Sequence, residues 1–269
     1  MKKLIIGSLL VLCFIAISIT SFIFIKNKRE DKNQEIVFKE LQENIETKDK
    51  EDDKIIINEQ VLQGVPEFIE IEINDTEQNK SSEIDLLSVY MQNQDLVGWI
   101  KIDGTSINYP VMQNETYYLR KNFYKSYSRY GTPFLAEYCD IKDSDNLVIY
   151  GHNIRNGNMF SDLIKYRKEN YFKNHNIIKL YELQEEITMQ REYEIISVFE
   201  ISLDDDFKYY SCYNFKIRDD FDYFYENIKN LSIYDTGNNA DFGDKFITLS
   251  TCNYSLNNGR MVIIAKEIR

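Results

Sequence analysis

The chain opens with an apolar run that is long enough to cross a lipid bilayer. Residues 4–25 are almost continuously apolar, and a basic cluster begins at Lys26. About 20 consecutive apolar residues are what a membrane-spanning helix needs. We therefore predict a transmembrane signal anchor over residues 1–25. A cleaved signal peptide is the alternative, with a cleavage site at residues 16–18, but the apolar run is longer than the core of such peptides.

A strongly polar segment follows the apolar run. Residues 26–85 hold 18 acidic and 9 basic residues, a composition typical of solvated chain. Four apolar residues recur there at helical spacing and predict a short amphipathic helix: Ile36, Val37, Leu41 and Ile45. We interpret residues 26–83 as an acidic linker that lifts a folded domain, residues 84–269, off the membrane.

From residue 84 onward, short apolar runs alternate with polar turns. Asp103-Gly104 separates the first two runs, and this dipeptide is a hairpin signal. Runs of β-prone residues predict eight strands, at 97–102, 107–112, 132–137, 147–150, 177–181, 193–202, 246–251 and 261–265. Helical spacing predicts helices near 84–91, 159–166 and 219–228. The pattern indicates a mainly β fold, a β-barrel decorated with helices.

Composition excludes several classes of function. The net charge of −12 argues against a nucleic-acid partner, because phosphate binding needs clustered positive charge. The chain has two distant histidines, four scattered cysteines and no glycine-rich phosphate loop, so we expect neither a metal nor a cofactor. The cysteine spacing shows no disulfide framework. A bridge between Cys139 and Cys212 is left open.

Candidate chemistry lies at the end of the seventh predicted strand. Cys252 closes the run Thr248-Leu249-Ser250-Thr251-Cys252, and Arg260 opens the next run after a short polar turn. A thiol becomes a good nucleophile as a thiolate, and a neighbouring cation or base promotes that form. His152 follows the fourth predicted strand, whereas His175 lies in a polar stretch and is predicted to be a surface residue. We therefore choose His152 as the partner base.

Each of these residues also has an ordinary structural interpretation. A cysteine in a strand is more often buried packing than a nucleophile, and a histidine or arginine beside a strand is more often a surface group. The catalytic interpretation depends on all three lying at strand ends. No acidic residue stands out as an orienter of His152, so a complete Cys-His-Asp triad is not supported.

These residues resemble the sortase signature, and most closely that of class B sortases. The matching segments are Tyr150-Gly151-His152, Thr248-Leu249-Ser250-Thr251-Cys252 with Arg260, Val97-Gly98-Trp99-Ile100, Ile107-Asn108-Tyr109-Pro110-Val111 and Met159-Phe160. The resemblance covers residues 84–269. It implies an eight-stranded sortase-type β-barrel with N-terminal helices and a helix inserted before the last two strands.

The resemblance also implies an activity. Such an enzyme is a membrane-anchored cysteine transpeptidase: its cysteine, here Cys252, attacks the carbonyl after the Thr of a sorting motif on a secreted protein. An amino group of a peptidoglycan precursor then resolves the thioacyl intermediate. His152 is expected to act as general acid and base. Arg260, with the backbone N–H of Asn253, is expected to stabilise the oxyanion.

The same resemblance suggests which residues contact the peptide and where the enzyme lies. Five residues are expected in the substrate groove: Leu119, Tyr209, Tyr210, Ser250 and Thr251. The N-terminus is expected in the cytoplasm, with a single membrane pass and the catalytic domain outside the cell. Two alternatives stay open, namely another cysteine cell-wall enzyme such as an L,D-transpeptidase, and a non-catalytic membrane-tethered wall module.

Overall fold

The structure, a computed structural model, describes residues 2–45 and 84–268. Within them, eight strands form one closed barrel. They are β1 (Leu96–Lys101), β2 (Asn108–Met112), β3 (Phe134–Leu135), β4 (Asn146–Tyr150), β5 (Ile177–Gln184), β6 (Ile187–Ser202), β7 (Phe246–Cys252) and β8 (Gly259–Glu267). The predicted eight-stranded barrel is therefore confirmed.

Helices precede the barrel and interrupt it. They are α1 (Lys2–Ile45), α2 (Leu87–Tyr90), α3 (Glu169–Asn174) and α4 (Arg218–Leu231), with 3₁₀ helices at Tyr117–Arg120, Phe160–Arg167 and Tyr209–Ser211. Helix α4 is inserted before the last two strands, as expected. The helix predicted near 84–91 is only one turn long, and the one predicted near 159–166 is a 3₁₀ helix.

The barrel mixes antiparallel and parallel neighbours. Its strand order is β1-β2-β3-β4-β7-β8-β6-β5, and β5 closes the barrel against β1. Two pairs are parallel, β2 with β3 and β4 with β7, while the other pairs are antiparallel. The parallel β4–β7 pair is decisive for the site, because it brings the C-terminal ends of two distant strands to the same rim of the barrel.

The apolar residues form two buried clusters. The larger fills the barrel and includes Trp99, Leu180 and Ile263, each fully buried. The smaller lies under α4, whose Phe221, Phe224 and Ile228 pack outside the strands at helical spacing. Burying large apolar side chains of this kind stabilises a fold by roughly 1.5–3 kcal/mol each, so both clusters stabilise the barrel.

The C-terminal part of α1 packs against the barrel. Phe38 meets the ring of Tyr109 edge-on at 5.0 Å, and the Gln42 side-chain amide donates to the backbone carbonyl of Asn108 at 2.7 Å. The helix predicted from Ile36, Val37, Leu41 and Ile45 is thus present as the end of a longer helix. Ile36, however, is exposed, and Phe38 is buried in its place.

The predicted domain boundaries concern residues that the structure describes only in part. Several side chains of residues 30–45, which composition assigned to the linker, contact the folded domain. Residues 46–83 lie outside the described chain. The membrane-spanning helix predicted for residues 1–25 is not confirmed. No helix among residues 2–45 and 84–268 combines the length and the apolar character needed to cross a membrane.

Candidate functional site

Cys252 is the last residue of β7 and lies half-buried at the rim of the barrel. In the antiparallel β7–β8 pair it stands directly opposite Arg260. Directly opposed residues on neighbouring strands have Cβ atoms about 4.5–5.5 Å apart. Strand pairing alone therefore places the guanidinium-bearing residue beside the thiol-bearing one.

His152 reaches the same rim through the parallel β4–β7 pair. Tyr150, the last residue of β4, is in register with Ser250 of β7. Two residues beyond this pair on each segment, His152 lies alongside Cys252. The meeting of the two residues, separated by 100 positions in sequence, is thus a consequence of strand register.

Three hydrogen bonds join the segment that follows β4 to the end of β7. They run from the Gly151 N–H to the Ser250 carbonyl (3.1 Å), from the Thr251 hydroxyl to the Gly151 carbonyl (2.7 Å) and from the Asn153 side-chain amide to the Cys252 carbonyl (2.9 Å). Because these bonds flank His152 on both sides, they fix its backbone relative to Cys252.

The imidazole of His152 is oriented by a backbone carbonyl. Its Nε2 lies 2.9 Å from the carbonyl oxygen of Leu119. A carbonyl can only accept, so Nε2 carries a proton and donates it, which leaves Nδ1 as the atom that gains or loses a proton. Burial lowers the pKa of His152, and the nearby charge of Arg120 lowers it further, although the Leu119 carbonyl acts in the opposite direction.

The guanidinium of Arg260 is anchored by the hairpin that it opens. Its Nη1 donates to the carbonyl of Gly259 at 2.8 Å and makes a longer contact of 3.5 Å with the carbonyl of Asn258. Among the described residues, no carboxylate lies within 4.0 Å of this guanidinium. Its charge is therefore available to a negative group that enters the site.

A cavity of about 320 Å³ opens beside these three residues. Cys252, His152 and Arg260 line it together with further residues that are mostly apolar or aromatic. These are Leu119, Thr132, Phe134, Tyr150, Gly151, Leu203, Tyr209, Tyr210, Ser250 and Thr251. An apolar cleft with a few convergent polar groups is the usual form of a ligand site. Its size suits a few residues of an extended peptide.

All five residues expected in the substrate groove line this cavity, but three of their hydroxyls already have partners. The Ser250 and Tyr209 hydroxyls lie 2.8 Å apart and are buried. The Thr251 hydroxyl donates to the Gly151 carbonyl. Ser250 and Thr251 thus shape the floor of the cavity and hold its strands together.

Asn253 does not line the cavity, and its backbone N–H donates to the Gly259 carbonyl at 2.9 Å. An N–H that closes the β7–β8 hairpin cannot at the same time donate to a substrate oxyanion. In this structure the oxyanion role expected for this N–H is therefore not available. Arg260, by contrast, lines the cavity.

His175 does not line the cavity. Its ring stacks on Tyr171 with centroids 4.2 Å apart, and its Nδ1 lies 2.8 Å from the Tyr171 carbonyl. It is half-buried, not the surface residue that its polar neighbours suggested. Both contacts lie within the C-terminal end of α3, which His175 follows directly.

The two other cysteines of the folded domain, Cys139 and Cys212, are poorly suited to nucleophilic chemistry. Cys139 and Cys212 are free thiols, so the bridge left open by the sequence is not formed. Burial raises the pKa of each to about 11, and little of either is thiolate at neutral pH. Within residues 2–45 and 84–268, no group of three or more His, Cys, Asp or Glu side chains is placed to hold a metal ion.

Sequence reasoning missed several residues that shape the site. Thr132, Phe134 and Leu203 line the cavity, and Asn153 and Arg167 support the segments around His152 and Cys252. Asn153 directly follows His152 in the sequence, and this position was the one sequence signal available for any of these residues. The others lie on distant segments that only the barrel brings close.

A family model and two curated relatives match the chain. The model of the sortase domain matches residues 100–268. Sortase B of Staphylococcus aureus is 30% identical over 182 residues, which are 66% of this chain and 72% of that protein. Sortase B of Listeria monocytogenes is 31% identical over 182 residues, covering 65% and 71% of the two chains.

Solved structures are similar as well. Sortase B of Clostridium perfringens superimposes with a TM-score of 0.61 at 31% identity, over 68% of this chain and 98% of that one. A sortase B–substrate complex of Staphylococcus aureus gives a TM-score of 0.61 at 30% identity, over 68% and 83% of the two chains. The residues that the sortase-domain model matches, 100–268, include every residue that lines the cavity.

Proposed function

Since the chain belongs to the sortase family and is a class B sortase, a cysteine transpeptidase, we propose that Cys252, His152 and Arg260 perform its reaction. The observation that carries the proposal is strand register. The β4–β7 pair brings His152 beside Cys252, and the β7–β8 pair brings Arg260 opposite it, all at one cavity.

The first half of the proposed reaction forms a thioester. The Cys252 thiolate attacks the carbonyl carbon that follows the Thr of a sorting motif, and negative charge develops on the carbonyl oxygen. Arg260 stabilises that charge with its fixed donors. The C–N bond then breaks, and His152 gives the proton on Nδ1 to the leaving amine.

The second half transfers the acyl group to a new amine. An amino group of a peptidoglycan precursor attacks the thioester carbonyl, and neutral His152 accepts a proton from it at Nδ1. The C–S bond breaks and Cys252 leaves as a thiolate, so the enzyme returns to its starting state. His152 can fill both roles because its Nε2 stays bonded to the Leu119 carbonyl throughout.

The substrate proposal is supported by what similar proteins bind. One sortase B of Staphylococcus aureus has been solved with its substrate, and a sortase B has been solved with triglycine, a peptide with a free amine. We extend both to this chain: the sorting motif of a secreted protein occupies the cavity, and the accepting amine approaches Cys252 from the open side.

We also propose that residues 4–25 anchor the enzyme in the cell membrane, with the barrel outside the cell. The apolar run in the sequence supports this, as do nine large apolar side chains that α1 exposes: Leu12, Phe14, Ile15, Ile17, Ile19, Phe22, Ile23, Phe24 and Ile25. A continuous exposed apolar surface of this kind is costly in water and is satisfied by lipid.

The mechanism is tested with the full-length chain in detergent and a panel of fluorogenic sorting-motif peptides. Cys252→Ala and His152→Ala should abolish cleavage, whereas His175→Ala, the matched histidine control, should retain it. Adding triglycine should convert the hydrolysis product into a ligated peptide, detected by mass spectrometry. Cleavage retained by Cys252→Ala would refute the mechanism, and the absence of cleavage of every peptide by the native enzyme would favour a non-catalytic wall module.

A further inference from the structure

Arg167 ends the 3₁₀ helix Phe160–Arg167 and connects three parts of the molecule. Its Nη2 donates to the side-chain carbonyl of Asn253 at 2.9 Å and to the hydroxyl of Ser255 at 3.2 Å. Its Nε forms an ion pair with the carboxylate of Glu200 on β6. One guanidinium therefore joins a 3₁₀ helix, a strand and the loop that follows Cys252.

The loop that Arg167 holds, residues 253–258, separates Cys252 from Arg260. Its first residue, Asn253, is 2% exposed, and its side-chain carbonyl also accepts the N–H of Ser255 at 3.0 Å. A buried amide oxygen that receives a charged donor is strongly held, because bonds to ionised groups are the stronger ones. Arg167 thus fixes the conformation of the loop at the residue next to Cys252.

The same loop carries the anchor of the Arg260 guanidinium. The Gly259 carbonyl accepts both the Asn253 N–H and Arg260 Nη1. Gly259 also lies close against Asn253, since a Cβ at Gly259 would lie 2.5 Å from the Asn253 carbonyl oxygen. A displacement of Asn253 is therefore passed on to the atom that orients Arg260.

We propose that Arg167 is a positioning residue of the transpeptidation site: it holds Asn253 and thereby sets where the Arg260 guanidinium points relative to Cys252. The inference rests on the proposed function. Arg167 does not line the cavity and touches no reacting atom. Its planar fork is needed because Nε and Nη2 serve Glu200 and the loop at once, which a lysine ammonium on a flexible stem does not reproduce.

The experiment measures kcat and KM of the full-length enzyme with the cleaved peptide, well below the melting temperature of each variant. Arg167→Gln should lower kcat about 10-fold to 100-fold, the usual effect of a small misplacement caused from outside the site. KM should change little, because no groove residue loses a contact. Arg167→Lys should also lose kcat. Arg218→Gln, which removes an exposed arginine on α4, is the matched control and should retain native kinetics.

A double-mutant comparison separates positioning from general loosening of the fold. In an Arg260→Lys background, which keeps the cation but removes the fork that binds Gly259, Arg167→Gln should cause a much smaller further loss than in the native enzyme. The inference would be overturned if Arg167→Gln lowered kcat by the same factor in both backgrounds. Native kcat in Arg167→Gln alone, or full activity in Arg167→Lys, would overturn it as well. If the native enzyme cleaves no peptide, or Cys252→Ala still cleaves, the proposed function fails instead.

Discussion

Replacing Gly151 with alanine tests how tightly the segment before His152 is packed. A Cβ at this position would lie 2.5 and 2.6 Å from two ring carbons of Phe160. The ring is fully buried, and the Phe160 N–H donates to the His152 carbonyl at 2.9 Å. Because carbon atoms pack best about 3.5–4.0 Å apart, the ring or the backbone at Gly151 must move by roughly 1 Å.

The displacement should affect both stability and rate. Overpacking of a dense core costs about 1–3 kcal/mol of the free energy of unfolding, and each kcal/mol lowers Tm by about 2–4 °C in a domain of this size. His152 is covalently next to Gly151, so a shift of this size should lower kcat/KM about 100-fold. Peptide cleavage measures the rate, and calorimetry measures Tm.

Two variants make the interpretation unambiguous. Gly157→Ala lies on the same loop, where a Cβ meets nothing within 4 Å but φ is +89°. It should lose stability through backbone strain and keep the native kcat. Adding Phe160→Leu to Gly151→Ala should restore part of the lost activity by relieving the contact. Native kcat and Tm in Gly151→Ala alone would refute the packing argument.

Two further predictions concern charge and backbone conformation. Arg120→Gln removes a positive charge that lowers the pKa of His152, so this pKa should rise and a larger fraction of His152 should be protonated at a given pH. NMR titration with His175 as internal reference measures it, and an unchanged or lower pKa would contradict the assignment. The β5–β6 turn holds Glu185 and Glu186 at positive φ, 48° and 72°. Glu185→Asn with Glu186→Gly should add about 0.5–2 kcal/mol of stability, and an unchanged or lower urea midpoint would contradict this.

The length of the β5–β6 hairpin shows what local sequence could not predict. The sequence indicated strands at 177–181 and 193–202, whereas the structure extends both to a two-residue turn at Glu185-Glu186. This turn lacks the Asn-Gly or Asp-Gly dipeptide that usually occupies two turn positions of positive φ. The hairpin is instead specified by its long β5–β6 ladder. Tertiary contacts, such as that of Arg191 on β6 with Glu267 on β8, add to it and are not visible in local sequence.

The opposite error occurs at β3, where the structure has less strand than the sequence indicated. The apolar run at 132–137 predicted six residues, but only Phe134 and Leu135 are paired as a strand. Pro133 has no N–H to donate to a ladder. Gly131, at φ +60°, turns the chain tightly against the Tyr118 and Leu119 carbonyls. The run is buried without forming a long strand: Thr132 and Phe134 line the cavity, and Leu135 and Ala136 pack in the core.

The candidate chemistry could be predicted, but its supporting contacts could not. Cys252, His152 and Arg260 each lie at or just beyond a strand end, and strand ends are visible in the hydrophobic pattern. That β4 pairs with β7 in parallel is not visible there, because about 100 residues separate the strands. Arg167 belongs to no motif and Asn153 is marked only by its position after His152, so only the fold reveals their contacts.

Strand pairing and loop contacts therefore have different roles at this site. Register determines which residues meet, and a slip by one position would turn each side chain to the other face of the sheet. The loops determine where the reacting atoms point: the Leu119 carbonyl orients the His152 ring, and the Gly259 carbonyl orients the guanidinium of Arg260. Since both oriented groups depend on backbone carbonyls, side-chain truncation at Leu119 should leave the ring in place. Changes that move the backbone, as at Gly151 or Arg167, should reduce the rate before they unfold the barrel.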